Sequence, residues 1–281
     1  MNRPKLACCN FIPETDQLKK FALDQGFEGI DWTFTLENLP RNPAEESALV
    51  KTISTLHPLE TRYHCAFKRV DLGDVDPEGA KYAIDVFHRV CRLVSKLRGR
   101  FLTLHVGLGR DTTVDLLWDE TIERLAQVVR FANEMGVRLC LENLAWGWTS
   151  RPELFEKLIR KSGCSVTIDI GHARVSPSVV SQQYRVKDFV VPHAERVLNA
   201  HVYHEEDEEH HMPPERVIDI EDRLCMLAQL PRCDWWVLEL REEQPLLKSL
   251  SIVSEFFQQQ TSGNEDYEKD GCGALLGKRI L

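Results

Sequence analysis

The sequence contains no CxxC pair, no GxGxxG loop, no GxSxG elbow, no HExxH motif and no apolar run of membrane-spanning length. Each absence removes a class of protein. Nine cysteines without a CxxC pair, an odd number, point to neither a zinc ribbon nor a thioredoxin-like redox centre. Most of them sit in apolar runs, where a reduced thiol behaves as a small hydrophobe. The opening MNRPKLACCNF lacks the apolar core of a secretory signal, so the expectation is a cytoplasmic protein with no membrane association. Without GxGxxG after the first apolar run, a dinucleotide-binding sheet is disfavoured. Without GxSxG and HExxH, a serine hydrolase and a helix-borne zinc protease lose their signatures, and few lysines lie where a Schiff-base aldolase would need one. Net positive charge is also missing. Lys plus Arg is 35 against 44 Asp plus Glu, a formal charge of -9. That sign disfavours general nucleic-acid binding, which draws on attraction to phosphates.

What is present is a soluble composition, 43% hydrophobic and 28% charged, on 281 residues, enough for one large α/β domain or two modest ones. Short apolar runs alternate with amphipathic stretches. The runs are LACCNF, FEGIDWTF, RYHCAF, FLTLHVG, VRLCLENL, CSVTIDIGHA, VLNAHVYH and CDWWVLELR. Helical periodicity is predicted over 16–25, 44–56, 77–97, 121–135, 152–162, 218–230 and 246–260. Eight units of roughly 32 residues each match the size of a parallel crossover unit. They point to α/β class and a (β/α)8 TIM barrel in a single domain over 1–260, with an open doubly wound sheet as the alternative. The stretch 261–281 loses the alternation and reads as a peripheral or disordered tail.

Barrel enzymes place their chemistry where strands end, at the C-terminal face. Six of the eight runs end on an imidazole or carboxylate: His64, His105, Glu142, Asp169 with His172, His201, and Glu239. Singly, each could be a hydrogen-bonded core histidine or a helix cap, and EEDEEHH over 205–211 could be a solvated acidic loop. Recurrence changes the weighing. Glu142, Asp169 and Glu239 are flanked by apolar residues, and burying carboxylates is costly unless they are paired or bind a cation. A metal site is the economical explanation.

In this order and spacing, GFEGIDW, YHCAF, LHVG, LENL, IDIGHA, AHVYH with EHHMPPE, and LELRE resemble the xylose isomerase-like TIM-barrel superfamily, over about Leu6 to Gln260. That superfamily holds sugar isomerases and epimerases, dehydratases and endonuclease IV. The resemblance to its single-metal epimerases implies a ligand set of Glu142, Asp169, His201 and Glu239 for Mn²⁺, Mg²⁺, Co²⁺ or Zn²⁺. It also implies that Glu142 and Glu239 act as the acid/base pair on a sugar, sugar phosphate or polyol. The resemblance to endonuclease IV implies a larger, multinuclear set that adds His64, His105, His172, Glu209 and His211. One departure stands out: the family's Asp is replaced by Glu209, and the register of the acidic run leaves Glu208 with His210 as the alternative.

The leading expectation is therefore a metal-dependent isomerase or epimerase. The alternative is an endonuclease IV-like hydrolase acting on a phosphodiester, or on an amide or ester of a cofactor such as a cobamide; a binding protein that keeps the barrel without turnover is a third. His172, Arg241, Trp32 and Trp146 are the expected substrate contacts, Arg241 because a guanidinium forks onto phosphate or carboxylate. Lys68, Arg69, Arg110, Arg151 and Arg174 extend a basic rim, and Phe34 and Trp148 join the aromatics near it. The expected partner is a small polar or anionic molecule.

Overall fold

The computed structural model describes residues 3–108, 117–207 and 210–262. Eight parallel strands close into a barrel: β1 (Lys5–Cys9), β2 (Gly29–Phe34), β3 (Glu60–Cys65), β4 (Phe101–Leu104), β5 (Arg138–Glu142), β6 (Ser165–Asp169), β7 (Val197–Val202) and β10 (Trp235–Leu238). β1 pairs with β10 on one side and β2 on the other, which closes the ring. The helices are α1 (Thr15–Asp24), α2 (Pro43–Ser54), α3 (Pro77–Lys96), α4 (Trp118–Glu134), α5 (Pro152–Ser162), the short α6 (Ile170–Val175) and α7 (Pro177–Val180), α8 (Glu221–Ala228) and α9 (Glu243–Ser262).

Local signals fix the helix ends. Asn42 and Asp76 accept hydrogen bonds from the first free amides of α2 and α3, each with proline at the first helical position. Gly163 ends α5 at φ 78°, a left-handed conformation that suits glycine. Between β6 and β7, where no helical periodicity is predicted, the chain forms α6, α7 and two 3-10 segments. One expectation needs correction: the acidic run is no loop, because β8 (Glu205–Asp207) and β9 (His210–Met212) pair antiparallel as a hairpin.

Strand alternation sorts the side chains. Tyr63, Leu102, Leu139, Ile168, Ala200 and Trp236 face outward into the buried shell beneath the helices. Their neighbours face the lumen and share its polar contents: the Thr103 and Thr167 hydroxyls meet at 2.7 Å, and Asn199 donates to Thr167 at 3.0 Å. Because i and i+2 share a face, Arg62, Thr103, Cys140, Thr167, Asn199 and Val237 lie below His64, His105, Glu142, Asp169, His201 and Glu239. The eightfold closure therefore gathers the strand-end residues at one mouth.

Candidate metal centre

Glu142 is the hub of that mouth. It is 1% exposed, and its two oxygens face opposite ways. Oε2 lies 3.2 Å from His105 Nε2 and 3.4 Å from His64 Nε2, whereas Oε1 lies 3.2 Å from His201 Nδ1. His64 and His105 approach each other at 3.0 Å, and His201 Nδ1 lies 2.9 Å from Glu239 and 3.8 Å from Asp169.

Asp169 also divides its oxygens. Oδ1 caps α6 by accepting from the His172 amide at 2.7 Å, while Oδ2 has no hydrogen-bond partner. Asn143 clamps the adjoining strand ends, accepting from the Asp169 amide and donating to its carbonyl, both at 2.8 Å. The carbonyl of Asn143 lies 3.0 Å from His172 Nδ1, so a proton there turns Nε2 toward Glu206, 3.3 Å away.

Four overlapping ligand groups result: Asp31, His64 and His201; His64, His105 and Glu142; Glu142, Asp169, His201 and Glu239; and His172, Glu206 and His211. Hairpin register builds the last, because Glu206 pairs across from His211. His211 stacks on Tyr203 at 3.9 Å, and Tyr203 in turn packs where Gly171 leaves room; any side chain at Gly171 would collide with its ring. The glycine of IDIGHA thus helps set the height of His211.

The electrostatics are those of a concentrated anion cluster. Burial opposes ionisation of Glu142, yet His201, His105 and His64 hold its carboxyl well below the usual range. Burial likewise opposes charge on His201, but Glu142 and Glu239 outweigh it and keep the ring well above its ordinary value. Glu239 is held low by His201 against its own burial. Burial pushes His64 down to about 3, leaving a neutral ring with a free lone pair. Burial also pushes the carboxyl of Asp31, 3.9 Å from His64 Nδ1, up to about 7.

These residues fit divalent cations. Donor atoms about 2 Å from a common ion lie roughly 3–4 Å from one another, the spacing seen here. His64 Nδ1, Asp169 Oδ2, His201 Nε2 and Glu206 Oε2 are buried without hydrogen-bond partners, a cost that a bound cation would relieve at the atoms aimed at it.

A cavity of about 640 Å³ opens over the centre. Among the expected contacts, His172, Trp146 and Arg241 line it, as do His64, His105, His211 and Lys68; Asp169 and His201 lie beneath, fully buried. Trp32 does not. All six residues of β2 are buried, and the phase of the strand turns Asp31 inward and Trp32 into the outer core with Phe34. Trp148 is also core, while Arg151 and Arg174 pair with Glu153 and Glu205 rather than facing the cavity. Arg110, Glu208 and Glu209 lie outside the described residues, as does the stretch from 263 onward. The group of His172 and His211 also contains Glu206, which the sequence pattern did not single out and only the hairpin register could have revealed.

The model of the xylose isomerase-like TIM barrel family matches residues 20–260. An uncharacterized protein of Methanocaldococcus jannaschii is 26% identical over 167 residues, 59% of this chain and 71% of its own. Among solved structures, a D-tagatose 3-epimerase-like protein superposes with a TM-score of 0.71 at 14% identity, covering 92% of this chain and 99% of that one. Endonuclease IV from Thermus thermophilus superposes with a TM-score of 0.64 at 18% identity, covering 91% and 100%. Both likenesses concern the fold. On the family match across most of its length, this chain belongs to the xylose isomerase-like TIM barrel family.

Proposed function

We propose that the chain is a divalent-metal-dependent hydrolase that cleaves a phosphodiester in a small molecule, using a multinuclear centre. The reading rests on Glu142, whose two oxygens serve separate ligand groups. A single-metal epimerase needs only the group of Asp169, His201, Glu239 and Glu142; it has no use for His64 and His105 at the far oxygen. Imidazole and carboxylate sets of this size suit Zn²⁺ first, with Mn²⁺, Co²⁺ and Mg²⁺ as alternatives.

Bound there, such cations would polarise a phosphoryl oxygen and lower the pKa of water toward neutrality. The residues hold and position. His172 keeps a proton on Nδ1 against the Asn143 carbonyl and presents Nε2 to the centre. Arg241, which has no ion-pair partner among the described residues, takes a non-bridging phosphate oxygen at the rim. Phe67, Leu108, Leu144 and Met212 exclude water from the cavity. A cavity of this volume suits a ligand of modest size, and the net charge of -9 weighs against a long polyanion.

Sugar isomerisation or epimerisation is the second reading. Its support is that Glu142 and Glu239 both approach His201, at 3.2 and 2.9 Å, which keeps two carboxylates beside one cation site. Metal analysis of the purified protein, with assays on bis(p-nitrophenyl) phosphate and a panel of ketoses, separates the two. Two or three equivalents with phosphodiester cleavage are expected. One equivalent with sugar interconversion would replace the first reading by the second.

A further inference from the structure

The cavity has two chemically different walls. One is the ligand centre; the other is apolar and includes Trp146, which is 36% exposed although it adjoins the buried centre. Trp146 meets His172 edge-on, with ring centroids 5.9 Å apart at 63°. The next residue, Gly147, has φ 73°, so the chain reverses there and separates Trp146 from the buried Trp148. Trp118, at 5.9 Å, packs on Trp148. No aromatic contact other than the edge of His172 engages Trp146 among the described residues. Met212, from the hairpin, is likewise exposed and lines the same cavity. Exposed apolar surface beside a charged centre marks a place for the apolar part of a ligand.

We propose that Trp146 is the stacking platform for a planar heteroaromatic ring carried by the substrate, so that the substrate is a nucleotide-like phosphoester rather than a plain sugar phosphate. The proposal rests on the phosphoester reading above and assigns the part of the substrate remote from the phosphorus. Charge complementarity sets its orientation: the phosphate lies between the centre and Arg241, and the ring lies on the exposed part of the Trp146 indole. Stacking on an aromatic side chain tolerates any π-face, so Trp146 selects for a ring, not for one base.

Calorimetric titration of the zinc-supplemented protein with adenosine 5′-monophosphate and with ribose 5-phosphate tests this without turnover. The nucleotide is expected to bind about tenfold more tightly. In Trp146→Ala that advantage falls to within about twofold, in Trp146→Phe most of it returns, and metal content and melting temperature stay as in the parent. Equal binding of the two probes, no binding of the nucleotide, or an equal loss for both in Trp146→Ala would overturn the proposal. Failure of the hydrolase reading is seen separately, as a single metal equivalent or absent phosphodiester cleavage.

Discussion

The barrel lumen holds two buried polar clusters, one at each end, and they are opposites. At the N-terminal end Arg62, 4% exposed, is satisfied on every side: Asn199 accepts at 2.5 Å, Asp234 at 2.9 Å, Glu60 at 3.2 Å and the Leu198 carbonyl at 3.3 Å. Its guanidinium also lies over Phe101 and Trp235, at 4.0 and 4.6 Å. A cleft of about 700 Å³ opens there, yet its buried charge is already matched. At the other end five carboxylates (Asp31, Glu142, Asp169, Glu206 and Glu239) converge with histidines, and several buried atoms have no partner. The first cluster is matched within the protein; the second leaves buried polar atoms unmatched, as the proposed cation centre would require. Cavity size does not distinguish a site from a seam, and unbalanced charge does.

Glu142→Gln strikes the centre hardest. Phosphodiester cleavage should fall by at least about 100-fold, with metal content reduced, measured by steady-state assay and elemental analysis. Retention of full activity would erase the contrast between the two ends. Arg62→Ala should cost about 3 kcal/mol in denaturant unfolding by stranding buried partners, while metal content stays unchanged. Metal loss in that variant would mean that the two ends are one system.

His193 supplies a control. It is buried beside Phe155, and no carboxylate cluster surrounds it. Burial pushes its pKa from 6.5 down to about 4, with the Phe189 backbone pulling the other way. Below pH 6.5 the unfolded chain takes up a proton that the folded chain refuses. This ring therefore lowers stability as pH falls from 6.5 toward 4, by about 2 kcal/mol near pH 4.5. His193→Phe should flatten that part of the stability curve without changing metal content; an unchanged curve would mean that the ring is hydrated. Glu206→Gln is the mildest change. It should remove one equivalent of metal and about tenfold of activity, leaving the Glu142 clusters loaded.

The convergence of His64, His105, Glu142, Asp169, His201 and Glu239 was legible because each ends an apolar run, and closure of a parallel barrel brings such ends together. The failures have local causes. In GIDWTF both faces of the strand are buried, so hydropathy carries no phase, and Trp32 was expected where Asp31 stands. In EEDEEHH every residue is polar, so nothing in the pattern sets a register. Only pairing of Glu205 with Met212 and Asp207 with His210 brings Glu206 opposite His211.

The divided carboxylate of Glu142 has a consequence for assembly. A cation bound on the Asp169 side would hold Oε1 and so leave Oε2 turned toward His64 and His105. Loading of one side would then lower the ordering cost of the other, and by linkage the help would be mutual. Titrated with metal, this protein should fill as a cooperative pair and a straggler, with the hairpin site filling on its own terms.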